Sequence, residues 1–184
     1  MKSSTALVTL MVVMFVTGCT SVQVSQDYDL QADLSQAGTW QWRASRQPAT
    51  GDIRVDNPLL DQRIRRAVET HLTRRNFARV NADADLLVSY HLDIERRIYS
   101  DTVYTDIGPG GYFYPWYWGA GTEARLYQYD QGELIIDMHD ADTKELVWRG
   151  VGSYRYRSYD SPQAAAEAMQ AIVDKILAQF PPQG

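Results

Sequence analysis

The chain has 184 residues, of which 45% are hydrophobic and 22% charged, with a net charge of −5. That length suits one ordinary domain, and the apolar content excludes a chain that is disordered throughout. A mildly acidic balance repels nucleic-acid phosphate, and a single cysteine excludes internal disulfides and any multi-cysteine metal site.

The first nineteen residues read as a targeting segment. Lys2 is followed by an apolar run from Ala6 to Val16 and then by Val16-Thr17-Gly18-Cys19. A positive end, a short apolar middle and small residues at the cut make a secretory signal. The run is too short to span a bilayer, which needs roughly 20 residues. Val16-Thr17-Gly18-Cys19 resembles the lipobox of bacterial lipoproteins. The resemblance implies cleavage between Gly18 and Cys19, lipidation of Cys19 and acylation of the new amine. Several acyl chains together hold a protein stably on a membrane where one does not, since each buried methylene contributes about 0.8 kcal/mol. Residue 20 is Thr, not Asp. By the sorting rule of Gram-negative lipoproteins this implies the outer membrane, facing the periplasm.

Residues Thr20–Tyr28 alternate as a first strand, and Thr39-Trp40-Gln41-Trp42 suggests a short second one. Asp29–Gly38 is polar and turn-like, and Arg46–Asp56 is a loop broken by Pro48 and Gly51. Asn57 then suits an N-cap and Pro58 a first helical position. Leu60, Ile64, Ala67, Val68, His71 and Leu72 follow at helical spacing, predicting a helix over Pro58–Arg75.

Leu86–Ile98 alternates as a half-buried strand, with Leu86, Val88, Tyr90, Leu92 and Ile94 on one face. Glu133–His139 and Glu145–Arg157, joined by Asp140-Ala141-Asp142-Thr143-Lys144, read as a hairpin. Arg125–Tyr129 is a further strand before it. Gly150 and Gly152 signal a bulge or a crowded neighbour. Ser161 and Pro162 open a last helix, striped by Ala165, Ala168, Met169, Ile172, Val173, Ile176, Leu177 and Phe180. Pro181-Pro182 ends it. The expected fold is α+β: a two-layer sandwich, with a largely antiparallel sheet of about five or six strands and two helices on one face. A signal segment over 1–18 precedes this single domain over 19–184.

Five segments together resemble one family. Asp27-Tyr28-Asp29, Thr39-Trp40-Gln41-Trp42, Asn57-Pro58-Leu59-Leu60-Asp61-Gln62-Arg63-Ile64, Ala84-Asp85-Leu86-Leu87-Val88-Ser89-Tyr90-His91 and Leu146-Val147-Trp148-Arg149-Gly150 occur here in the order seen in domain-of-unknown-function family 4136. The resemblance runs from Val22 to Phe180. It implies an envelope lipoprotein and brings no agreed activity or catalytic residue.

The most unusual stretch is the Gly/aromatic loop at 107–121, which sets Tyr112, Phe113, Tyr114, Trp116, Tyr117 and Trp118 among glycines and prolines. Exposed rings of this kind stack on sugars, lie at a lipid interface or anchor a protein partner, while buried ones would cover the sheet. Similar inserts are common in the resembling family. The segment 108–121 reads as an insertion between strands.

His71, His91 and His139 have no companions at metal-ligand spacing, so no metal or cofactor is expected. The acids at 137–142 lack the Gly and distal Glu of a calcium loop and read as a turn. There is no Gly-x-Ser-x-Gly elbow, no phosphate loop and no His-Glu-x-x-His. Arg149, Arg155 and Arg157 alternate with Tyr154 and Tyr156. With Arg96 and Arg97 they make either an anion-binding strip or a solvated face paired with Glu95, Glu133 and Asp137. The expected function is a non-enzymatic envelope protein held to the membrane by its lipid, with a protein or glycan partner. A glycan-binding module using the aromatic loop, and a hydrolase with a site assembled across the sheet, are the alternatives.

Overall fold

The computed structural model describes residues 22–104 and 122–182. In chain order the elements are β1 (Gln23–Tyr28), β2 (Thr39–Trp42), α1 (Pro58–Arg74), β3 (Ala78–Arg79), β4 (Leu86–Tyr104), β5 (Thr122–Asp140), β6 (Leu146–Arg155) and α2 (Pro162–Leu177).

Both helices begin where the capping chemistry places them. The Asn57 side chain accepts from the Leu59 amide at 2.9 Å, and the Ser161 hydroxyl accepts from the Ala164 amide at 3.1 Å. Each bond satisfies one of the amides that a helix start leaves orphaned. The buried stripe of α1 is Leu60, Ile64, Ala67, Val68, His71 and Leu72, and that of α2 is Met169, Ile172, Val173, Ile176 and Leu177. Past the end of α1 the chain reverses through Asn76, whose φ of 66° is left-handed.

The six strands form one sheet in the order β1-β6-β5-β4-β2-β3. β1, β6, β5 and β4 are antiparallel neighbours, whereas β2 runs parallel to both β3 and β4. The sheet is thus mostly antiparallel, with a parallel margin that the alternation pattern did not foretell. A parallel neighbour cannot be reached by a tight turn, and here the connection from β2 to β4 contains α1.

Alternation sets the two faces. Trp40, Leu86, Val88, Tyr90, Leu92, Ile94, Leu134, Ile136, Met138 and Trp148 point toward the helices and are all buried. The two helices cover this face, so the domain is an α+β sandwich of two layers. Gly150 and Gly152 lie on the same face beneath α2. A Cβ on Gly150 would stand 2.3 Å from the Trp148 ring, and one on Gly152 would stand 2.6 Å from Ile176 Cδ1. Crowding is therefore what those glycines accommodate. The ladder irregularity falls elsewhere, between Met138 and His139.

Arg125–Tyr129 is no separate strand, because β5 runs unbroken from Thr122 to Asp140 against β4. β6 pairs with β5 only as far as Gln131, and β2 meets β4 only up to Val88. Among the described residues, the far halves of β4 and β5 therefore form a two-stranded arm beyond the sandwich. Ile98 and Tyr127 are exposed on it.

Asp85 joins two segments far apart in the chain. Asp85 Oδ2 accepts from the Gly38 amide, the Thr39 amide and the Thr39 hydroxyl at 2.9, 2.8 and 2.7 Å. These bonds tie the start of β2 to the start of β4, and they hold the Asp85 carboxyl below its ordinary value. Asp140 plays a similar part in the β5–β6 turn, accepting from the amides of Asp142 and Thr143. The acid-rich stretch at 137–142 includes that turn.

Candidate functional site

A cavity of about 310 Å³ opens where α1, the start of α2 and the segment after β6 converge. Its apolar lining comes from Leu60 of α1 and from Ala165, Met169 and Ile172 of α2. Arg63, Arg157, Tyr159 and Asp160 supply polar groups. Tyr154, the penultimate residue of β6, completes the wall.

Strand periodicity explains Tyr154. It shares the inward face with Trp148, and its ring lies over Gly132 of β5, where a Cβ would stand 2.8 Å from Tyr154 Cζ. The residue is 4% exposed, and its hydroxyl has no hydrogen-bond partner among the described residues. Burial pushes the phenol pKa up, and the nearby Tyr159 and Tyr156 push it further, so the group stays protonated and available as a donor. A buried hydroxyl without a partner is costly, so its persistence calls for an explanation.

The charged groups of the lining, Arg63, Arg157 and Asp160, form no ion pair among the described residues, and Arg157 lies 5.5 Å from the centre of the Tyr159 ring. The first turn of α2 carries no acidic residue, and Asp160 stands just before its cap. The lining holds no histidine or cysteine, and the Ser161 hydroxyl is engaged as the helix cap. The arrangement can hold a ligand and offers no nucleophile paired with a base.

Other polar clusters pair within themselves, although His71 Nε2 and His139 Nδ1 are left without a partner. A smaller cavity of about 150 Å³ is lined by Tyr90 and Asp61. There the Tyr90 hydroxyl donates to Asp61 Oδ1 at 2.5 Å, and Arg65 Nε donates to the same oxygen at 3.1 Å. Arg65 also stacks on Trp42, 4.3 Å from its ring centre. Between the helices, Asp174 gathers His71 at 2.8 Å, Arg74 at 2.5 Å and Gln170 at 2.9 Å. His139 lies on the opposite sheet face, 2.7 Å from an Arg43 nitrogen. Burial first, and the Arg43 charge second, lower its pKa. His91 is exposed on that face. The three histidines are thus on separate structures and do not converge.

The arginines read as either an anion strip or a solvated, paired face are divided. Arg149 forms a two-point ion pair with Asp137, at 2.7 and 2.8 Å, and Arg97 meets Glu95 at 3.0 Å. Arg96 lies 3.6 Å from Asp130, and Arg155 sits over the Tyr129 ring. The solvated, paired face is what the structure contains. Arg157 leaves that face and joins the cavity. The sequence pattern singled out Tyr154, Tyr156 and Arg157 but placed Arg157 on the sheet surface with Arg149 and Arg155. The usable signal was the inward phase of Tyr154, two residues beyond the inward-facing Gly152. Gly18, Cys19 and the ring residues Tyr112, Phe113, Tyr114, Trp116, Tyr117 and Trp118 lie outside the described residues.

Among known families, the one described as "Domain of unknown function (DUF4136)" matches residues 24–182. No curated protein matches the sequence significantly. Among solved structures, a PDZ domain protein from Parabacteroides distasonis superposes with a TM-score of 0.52 and 11% identity. That match covers 89% of this chain but only 37% of the other, so the chain spans well under half of that protein. A PelC dodecamer from Paraburkholderia phytofirmans gives a TM-score of 0.49 at 10% identity, covering 88% of this chain and 99% of that one. At such identity these likenesses concern the fold alone.

Proposed function

The chain belongs to the DUF4136 family, and we propose that it is a lipid-anchored protein of the bacterial envelope whose domain binds a ligand or partner without transforming it. The binding half of this reading rests on the cavity between α1, α2 and β6, which offers an apolar floor, an unpartnered donor and unpaired cations. No hydroxyl of the lining is hydrogen-bonded to a basic side chain among the described residues, which favours binding over hydrolysis. The anchoring half rests on Val16-Thr17-Gly18-Cys19 after the apolar run. With Thr20 next, the outer membrane facing the periplasm is the expected address.

Intact-mass spectrometry of the mature amino terminus tests the anchor. Cys19 carrying acyl chains is the expected result, and Cys19→Ser should leave an unprocessed precursor. A free Cys19 thiol, or an amino terminus elsewhere, would overturn it. Affinity capture from native membranes, with peptidoglycan sedimentation alongside, tests the binding half. Turnover of an envelope substrate by the purified protein would replace binding by catalysis. Retention on peptidoglycan that is lost on substituting Tyr112–Trp118 would instead favour a glycan module built on those rings.

A further inference from the structure

We propose that the cavity between α1, α2 and the end of β6 is a binding site for a small anionic amphiphile, a single-chain or single-ring carboxylic or phosphoric acid. The apolar body lies against Leu60, Met169 and Ile172, the acid faces Arg63 and Arg157, and Tyr154 donates a hydrogen bond to one ligand oxygen. The proposal rests on the reading of this domain as a binding module and gives that module its ligand class.

Three observations converge on it. Among the described residues, the buried side-chain polar atoms without partners belong to Trp40, His71, His139 and Tyr154, and of these residues Tyr154 lines the cavity. A buried phenol hydroxyl that donates to nothing is destabilising alone and becomes an affinity determinant when a ligand oxygen meets it. Leu60, Met169 and Ile172 are themselves buried, so the floor is apolar and favours hydrocarbon. Arg63 lines the same space on the α1 side and takes part in no ion pair among the described residues, so its charge is available to a ligand.

Charge and size narrow the ligand. Two arginines face one carboxylate, Asp160, in the lining. The balance is positive, and the start of α2 adds to it with no acid in its first turn. A guanidinium matches the planar geometry of carboxylate and phosphate oxygens. A net charge this small suits one acid group better than a polyanion. The volume of about 310 Å³ stands at the lower end of ligand sites. It suits one short chain or one ring, not the paired long chains of a membrane phospholipid.

The test uses the full lipidated protein in phosphatidylcholine nanodiscs, with empty nanodiscs as the blank. Titration calorimetry compares 4-phenylbutyrate, phenyl phosphate and the neutral 4-phenylbutyramide. The two acids distinguish a carboxylate from a phosphate preference. Saturable binding of at least one acid is expected, with the amide about tenfold weaker than its parent acid. Arg63→Gln should weaken the acid by a similar factor and leave the amide unchanged. Tyr154→Phe should weaken the acid roughly fivefold to tenfold while the melting temperature holds or rises, because the variant removes an unsatisfied hydroxyl. Equal binding of acid and amide, or no saturable binding of either acid, would overturn the proposal. So would a Tyr154→Phe protein that melts earlier yet binds unchanged. If neither acid binds while the protein still sediments with peptidoglycan, this site is rejected and the binding-module reading survives.

Discussion

Gly150→Ala tests the packing of α2 on the sheet at its tightest point. The added Cβ would stand 2.3 Å from Trp148 Cη2, 2.7 Å from Ile176 Cγ2 and 2.9 Å from Trp148 Cζ2. Ordinary contact begins at 3.4 Å, so the indole or the strand must retreat by about 1 Å. The indole cannot retreat easily. Its Nε1 donates to Gln26 at 3.0 Å, its ring meets Phe180 at 5.2 Å between centres, and Trp148, Ile176 and Phe180 are fully buried. Overpacking of this kind costs up to about 3 kcal/mol. Replacing a strand glycine returns roughly 0.5–1 kcal/mol of backbone entropy. The net loss is therefore about 2 kcal/mol. For a domain of this size that lowers the melting temperature by roughly 4–8 °C. Gly152→Ala should cost less, since it meets the aliphatic end of Ile176, and Gly38→Ala, with nothing within 4 Å, should cost almost nothing. Urea and thermal melts of the three variants would show the ranking. A Gly150→Ala protein that melts with the wild type would mean that α2 does not sit where the sheet glycines place it.

Ile176→Asp puts an unpaired carboxylate at a fully buried position of α2 and should cost about 3–5 kcal/mol, comparable to the whole stability of a marginal domain. Cooperative melting near the wild-type temperature would show that this helix face is wrongly assigned. A chain beginning at residue 22 should fold without the anchor, because the described core draws on residues from Val22 to Phe180. A non-cooperative melt of that fragment would count against an independent core. His139 supplies a pH signature. Burial and then the Arg43 charge depress its pKa below 6.5, with Arg149 adding to the effect and Asp137 opposing it. The unfolded chain consequently binds the proton first as pH falls, and stability drops between pH 6.5 and the folded-state pKa. His139→Gln should flatten that part of the stability–pH curve. A His139 ring titrating above 6.5 by NMR would reverse the sign.

Much of the architecture was legible because it is written locally. Asn57-Pro58 and Ser161-Pro162 set helix starts through bonds spanning two or three residues, and both buried stripes follow the 3.6-residue period. The inward residues of β4 follow from a period of two, and the β5–β6 turn follows from Asp140 bonding its own next residues. β3 was missed because its two residues, Ala78 and Arg79, are exposed and carry no alternation to detect.

The candidate site was not legible, although its residues were noticed. Alternation placed Arg157 with the arginines of the solvated face and Tyr154 on the opposite one, but a strand pattern specifies a face and not what covers it. Whether a hydroxyl on the inward face finds a partner depends on where α1 and α2 come to rest, tens of residues away in the chain. The sequence alone determined which segments become helices and strands and which face of each is apolar, since those choices depend on neighbours within a few residues. Only the tertiary structure decided that β2 lies parallel to β4, that Ile176 fills the space above Gly150 and Gly152, and that Leu60, Tyr154, Arg157 and Met169 enclose one cavity. Those outcomes depend on contacts between distant segments, which no local period encodes.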